Sequence, residues 1–70
     1  MFNNDDIQRM IEECQSDLTL KAKVLDGMAN TSDRLKASDV ISAGYYERFD
    51  RYDSDVCEQF ITAYLKAKGD

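Results

Sequence analysis

Histidine is absent from this chain, and so is proline. Without histidine there is no Ser-His-Asp or Cys-His arrangement to assemble, and the commonest acid–base group and metal ligand near neutral pH are both missing. Without proline, and with only Gly27, Gly44 and Gly69 to relax the backbone, the punctuation that a turn-rich all-β fold needs is scarce. Helices accept such a composition well. Cysteine is nearly absent too: Cys14 and Cys57 are too few for a structural zinc set. Both fall in apolar stripes, so they read as reduced, buried thiols, with a disulfide between them as the alternative. No apolar run approaches the length of a membrane span, and no basic segment followed by an apolar one marks a signal peptide. The expectation is a cytoplasmic protein with no membrane contact.

What is present is acid and apolar surface. Fourteen acidic residues against nine basic ones give a net charge of −5, which favours solubility and weakens attraction to phosphate backbones and anionic lipid. An apolar content of 43%, with four tyrosines and three phenylalanines, is too high for a disordered chain. Seventy residues make a single domain, 1–70, whose core is small. A partner or a second copy is therefore a physical expectation.

The strongest periodic signal lies in Asn4–Met28. Ile7, Ile11, Cys14, Leu18, Leu25 and Met28 follow the 3–4 spacing of one helical face, interrupted by Lys21, while Leu20 and Val24 widen that face in its second half. Asn4 is the candidate N-cap, with Asp5 and Asp6 near the positive helix end, and Phe2 can fold back on Ile7 as a hydrophobic staple. Because the stripe keeps its phase throughout, one unbroken helix is the preferred reading. Ser16, Asp17 and Thr19 favour caps over helix interiors, so the alternative is a hinge near Ser16-Asp17 and a second helix over Leu18–Met28. Beyond the Thr31–Ser32 boundary, a short turn over Asp33–Ala37 and a helix over Asp39–Arg51 are expected. A final helix carries Val56, Cys57, Phe60, Ile61, Tyr64 and Leu65. Asp53, Ser54 and Asp55 are its candidate caps, Asp55 and Glu58 have capping-box spacing, Lys66 and Lys68 suit its negative end, and Gly69 suits its C′ position. The fold class is all-α: a small three-helix bundle, with a fourth helix if the first is hinged.

Chemistry-bearing constellations are few. Carboxylate pairs such as Glu12/Glu13 and Asp53/Asp55 read as helix surface and helix cap. Acid–base catalysis would need one of them in a pocket that raises its pKa, and a chain of this size leaves little room for one. Asp50, Asp53 and Asp55 suggest calcium, but an EF-hand loop needs glycine at its sixth position and glutamate at its twelfth. Counting from Asp50 puts Asp55 and Ile61 there, and counting from Asp53 puts Glu58 and Tyr64 there. Neither register works. Glycine-rich phosphate cradles are also missing. The chain reads as a non-enzyme needing no cofactor and no metal.

Tyr45–Tyr52 is the most unusual segment, with four aromatics and two arginines in eight residues. These are the residue types that carry binding energy at protein interfaces, and Tyr46, Arg48, Arg51 and Tyr52 are the candidate protein-binding residues. The bland alternative places Tyr45, Phe49 and Tyr52 in the core, with the arginines paired to local acids. A direct nucleic-acid binder is a weaker reading, because Glu47, Asp50, Asp53 and Asp55 repel phosphate from the same surface. The acids support another reading, a DNA-mimicking inhibitor of a nucleic-acid-acting protein. Its candidate carboxylates are Asp5, Asp6, Glu12, Glu13, Asp17 and Asp26, diluted by Arg9, Lys21 and Lys23. The preferred expectation is a small acidic helical adaptor, inhibitor or regulatory subunit that binds a protein partner, with a homodimer as a further partnership.

Overall fold

A computed structural model of the chain describes residues 2–29 and 54–69. Three helices occupy the described residues, with no strand among them: α1 over Asn4–Ser16, α2 over Leu18–Met28 and α3 over Ser54–Gly69. The protein is a small all-α bundle. The expected turn over Asp33–Ala37 and helix over Asp39–Arg51 lie outside the described residues.

The first helix starts one residue earlier than the composition of its first turn suggests. Asn3, not Asn4, is the N-cap. Its side-chain oxygen accepts from the Asp6 N–H at 2.8 Å, and the Asp6 carboxylate accepts in return from the Asn3 N–H at 3.4 Å. The reciprocal bonds satisfy two donors that the first turn would otherwise leave open, and Asn3 can make them because it stays extended, at φ −93° and ψ 177°. This cap puts Phe2 and Ile7 at the two positions of a hydrophobic staple; Ile7 is buried and Phe2 is half-exposed.

The expectation of one unbroken helix over Asn4–Met28 is corrected. Asp17 leaves the helical region, at φ −111° and ψ 101°, and serves as the C-cap of α1 and the N-cap of α2 together. Its carboxylate accepts from the Leu20 N–H at 3.0 Å, the bond that an aspartate at this position is suited to make. The break changes which residues are buried. Before it, α1 buries Ile7, Met10, Ile11 and Cys14. After it, α2 buries Val24 and Met28, with Leu20 and Leu25 partly covered, while Leu18 is 75% exposed. The buried line thus moves from Leu18–Lys21–Leu25 to Leu20–Val24–Met28, and Lys21 no longer interrupts an apolar face. A straight helix would hold both halves on one side; a bent one lets α2 choose its own face.

In α3 the core residues are Val56, Cys57, Phe60, Ala63 and Tyr64. Ile61 is only partly buried and Leu65 is 47% exposed, so the larger aliphatics expected in the core sit at its edge. The reason lies opposite them. A Cβ built on Gly27 would stand 3.2 Å from the Cβ of Ala63, so α2 and α3 approach through two of the smallest residues available. That approach turns the Ala63 side of α3 inward and moves Leu65 outward. Helix α3 begins at Ser54, which places Asp55 inside the first turn and not at the cap. Its charge still faces the positive helix end, and Lys66 and Lys68 occupy the last turn as expected. Gly69 is the last helical residue and not C′.

Ile7, Met10, Ile11, Cys14, Val24, Met28, Cys57, Phe60, Ala63 and Tyr64 form one cluster drawn from all three helices. No helix among the described residues is long and apolar enough to cross a membrane.

Candidate functional site

The proposed protein-binding residues, Tyr46, Arg48, Arg51 and Tyr52, lie outside the described residues. The six candidate mimic acids lie within them. Asp5, Glu12 and Asp26 are exposed on the helices. The other three have work within the molecule. Asp6 closes the capping box of α1 and pairs with Arg9 at 3.1 Å. Asp17 caps α2. Glu13 joins α1 to α3: its Oε2 accepts from the Tyr64 hydroxyl and from Lys68 Nζ, the latter at 3.0 Å.

This last group is the most organised polar arrangement among the described residues. Tyr64 and Lys68 are one helical turn apart on α3, so their polar ends converge on a single carboxylate from α1. The Tyr64 ring is buried and stands 6.0 Å from the Phe60 ring at a 42° tilt, which fixes the direction of its hydroxyl. Lys68 Nζ lies 5.6 Å from the centre of the same ring, within reach of a cation–π attraction. The side chains of Lys68 and Glu13 are 50% and 43% exposed, so their ion pair by itself adds under about 1 kcal/mol. The tyrosine hydroxyl adds a charge-assisted hydrogen bond from the edge of the core. The arrangement ties two helices together. Sequence spacing could not reveal it, since Glu13 and Tyr64 stand 51 positions apart.

Cys14 and Cys57 are both free and buried. Burial pushes the Cys14 thiol up to about 11 from an ordinary 9.0, the carboxylates of Glu13 and Asp17 add to the rise, and Lys68 opposes it. Burial also raises Cys57, with Glu58 contributing. Neutral thiols are poor nucleophiles and poor metal ligands, so both behave as small core hydrophobes at physiological pH. The shift has a consequence for stability. In the unfolded chain Cys14 ionises near its ordinary value, whereas in the folded chain it holds its proton to about pH 11. Unfolding therefore releases a proton within this interval: the contribution is intact below about pH 9 and is lost as pH climbs towards 11. Urea midpoints measured at pH 8 and pH 10.5 are expected to fall further for the wild-type chain than for Cys14→Ala. Equal falls in the two proteins would assign the alkaline loss to other groups.

Gln59 Oε1 is buried without a hydrogen-bond partner. Among the described residues no three His, Cys, Asp or Glu side chains gather as a metal-ion site. No protein family, curated protein or solved structure matches this chain.

Proposed function

We propose that this protein is a non-enzymatic helical binding module, an adaptor, inhibitor or small regulatory subunit, that engages a protein partner through Tyr46, Arg48, Arg51 and Tyr52. The observation that carries this reading is the concentration of four aromatics and two arginines within Tyr45–Tyr52 of an otherwise acidic chain. Tyrosine supplies large contact area at little conformational cost and arginine a planar fork of hydrogen-bond donors, which is why interfaces concentrate them. The state of the two thiols is in keeping with it: burial keeps the best potential nucleophiles of the helical core protonated.

The DNA-mimic reading has less support. A mimic needs an uninterrupted negative field, yet Asp6 and Glu13 are each neutralised by a cation at close range and Asp17 serves a helix end. The carboxylates that remain, Asp5, Glu12 and Asp26, share α1 and α2 with the lysines at 21 and 23.

The test is affinity capture from native lysate with the wild-type chain and with Tyr46→Ala and Arg48→Ala, each first shown by circular dichroism to be folded. One partner is expected to be retained by the wild type, lost by both variants and insensitive to nuclease. A partner list unchanged by the substitutions rejects this surface. Loss of capture on nuclease treatment points to nucleic acid in its place.

A further inference from the structure

A single residue separates α1 from α2. Asp17 is the one non-helical position between Asn4 and Met28, and the helical ladder already runs up to it from both sides. Its N–H donates to the Glu13 carbonyl at 2.9 Å and its own carbonyl accepts from the Lys21 N–H at 2.9 Å, both at the spacing of an α-helix. Rotating Asp17 into the helical region would hand the N–H groups of Leu18, Thr19 and Leu20 the carbonyls of Cys14, Gln15 and Ser16. What opposes this locally is the bond from the Leu20 N–H to the Asp17 carboxylate.

The sequence is written for the straight form as well as the bent one. Ile7, Ile11, Cys14, Leu18, Leu25 and Met28 make one continuous stripe only when the helix is unbroken. Leu18, a member of that stripe, is left 75% exposed by the bend. Straightening would also lift α1 off its own core, withdrawing Ile7, Met10, Ile11 and Cys14 from the cluster and Glu13 from Tyr64 and Lys68. The surface so uncovered on α2 and α3 is complementary to α1.

We propose that two copies of this chain exchange α1: residues 4–28 run as one helix in each, and α1 of either copy packs on α2 and α3 of the other. The contacts of α1 with the core of α2 and α3 are then remade in the pair, so the balance rests on the hinge and on concentration. The exchange does not depend on the Tyr45–Tyr52 segment, and its variants leave that segment untouched.

The test is sedimentation equilibrium of the full chain from micromolar to millimolar, with circular dichroism to verify helix content. Asp17→Ala removes the cap and supplies the best helix former. With one hinge in each copy, it is expected to tighten the pair about 30-fold relative to wild type. Asp17→Glu, which keeps the charge but is a weaker cap and a better helix former, is expected to move in the same direction and serves if Asp17→Ala folds poorly. Leu18→Pro acts in reverse: proline is favoured at the first position of α2 and suits an extended Asp17 before it, but would break a helix over 4–28. It is expected to be helical and monomeric at every concentration. Exchange itself is read by mixing Glu13→Lys chains with Lys68→Glu chains. Only across an exchanged pair do both residue-13 and residue-68 charges become complementary, so mixed pairs are expected to form in excess over either variant alone. A strictly monomeric Asp17→Ala and Asp17→Glu, a dimer that survives Leu18→Pro, or random mixing of the charge variants would each overturn the proposal.

Discussion

Replacing Phe60 by alanine is expected to cost about 3–5 kcal/mol and to lower the melting temperature by roughly 15–30 °C. Phe60 is fully buried, touches the Tyr64 ring and belongs to the cluster that all three helices share. A chain of this length holds roughly 4–10 kcal/mol in total, so the loss takes a third of its stability or more. The control is Leu18→Ala. Periodicity alone would make Leu18 a core residue and its truncation a loss of about 2–5 kcal/mol. With 75% of its surface exposed, the expected change is within about 0.5 kcal/mol. Thermal and urea unfolding of the two variants decide the register of α2. Comparable losses at Phe60 and Leu18 would show that the buried face had been assigned to the wrong side.

Gly27→Val is expected to destabilise the fold by about 2 kcal/mol, chiefly through the α2–α3 contact. A Cβ at position 27 already meets the Ala63 Cβ at 3.2 Å, and valine adds two methyl groups whose χ1 freedom in a helix is small. With little freedom to turn aside, they are expected to push the two helices apart by a few tenths of an ångström and loosen the core beneath them. Gly27→Ala is the informative companion. Alanine gains about 1 kcal/mol of helix propensity and gives some of it back to the tight contact. Adding Ala63→Gly should therefore relieve Gly27→Val, a rescue that a purely local effect on α2 would not give. If Gly27→Val unfolds at the same urea concentration as the wild type, the close approach of α2 and α3 is wrong.

The two substitutions bear on how the bundle is built. Phe60 fills the middle of the core, whereas Gly27 sets how near two backbones come to one another. Composition made Gly27 look like a weak helix end; the structure gives it a packing role that no local pattern could suggest. Met10 and Ala63 belong to the same class. Each lies one position away from the apolar stripe that spacing picks out, and each is buried because of what stands opposite it.

The candidate binding residues rest on a different kind of signal. Tyr46, Arg48, Arg51 and Tyr52 are proposed from residue type alone, since dense aromatics and arginines are unusual in an acidic chain, and they lie outside the described residues. The Glu13–Tyr64–Lys68 tie was not legible at all, because a contact between the first and last helices depends on how they dock.

Local chemistry, then, was sufficient for the helical class, for acids and lysines at the appropriate helix ends, and for thiols held within an apolar interior. Those features follow from side-chain spacing of three and four and from the residue's own hydrogen-bonding habits, which need no knowledge of distant neighbours. Tertiary packing decided the rest. The stripe from Ile7 to Met28 is compatible with a straight helix, and only the gain from folding α1 back over α2 and α3 makes the bend at Asp17 worthwhile; with that bend, Leu18 turns outward and Val24 turns in.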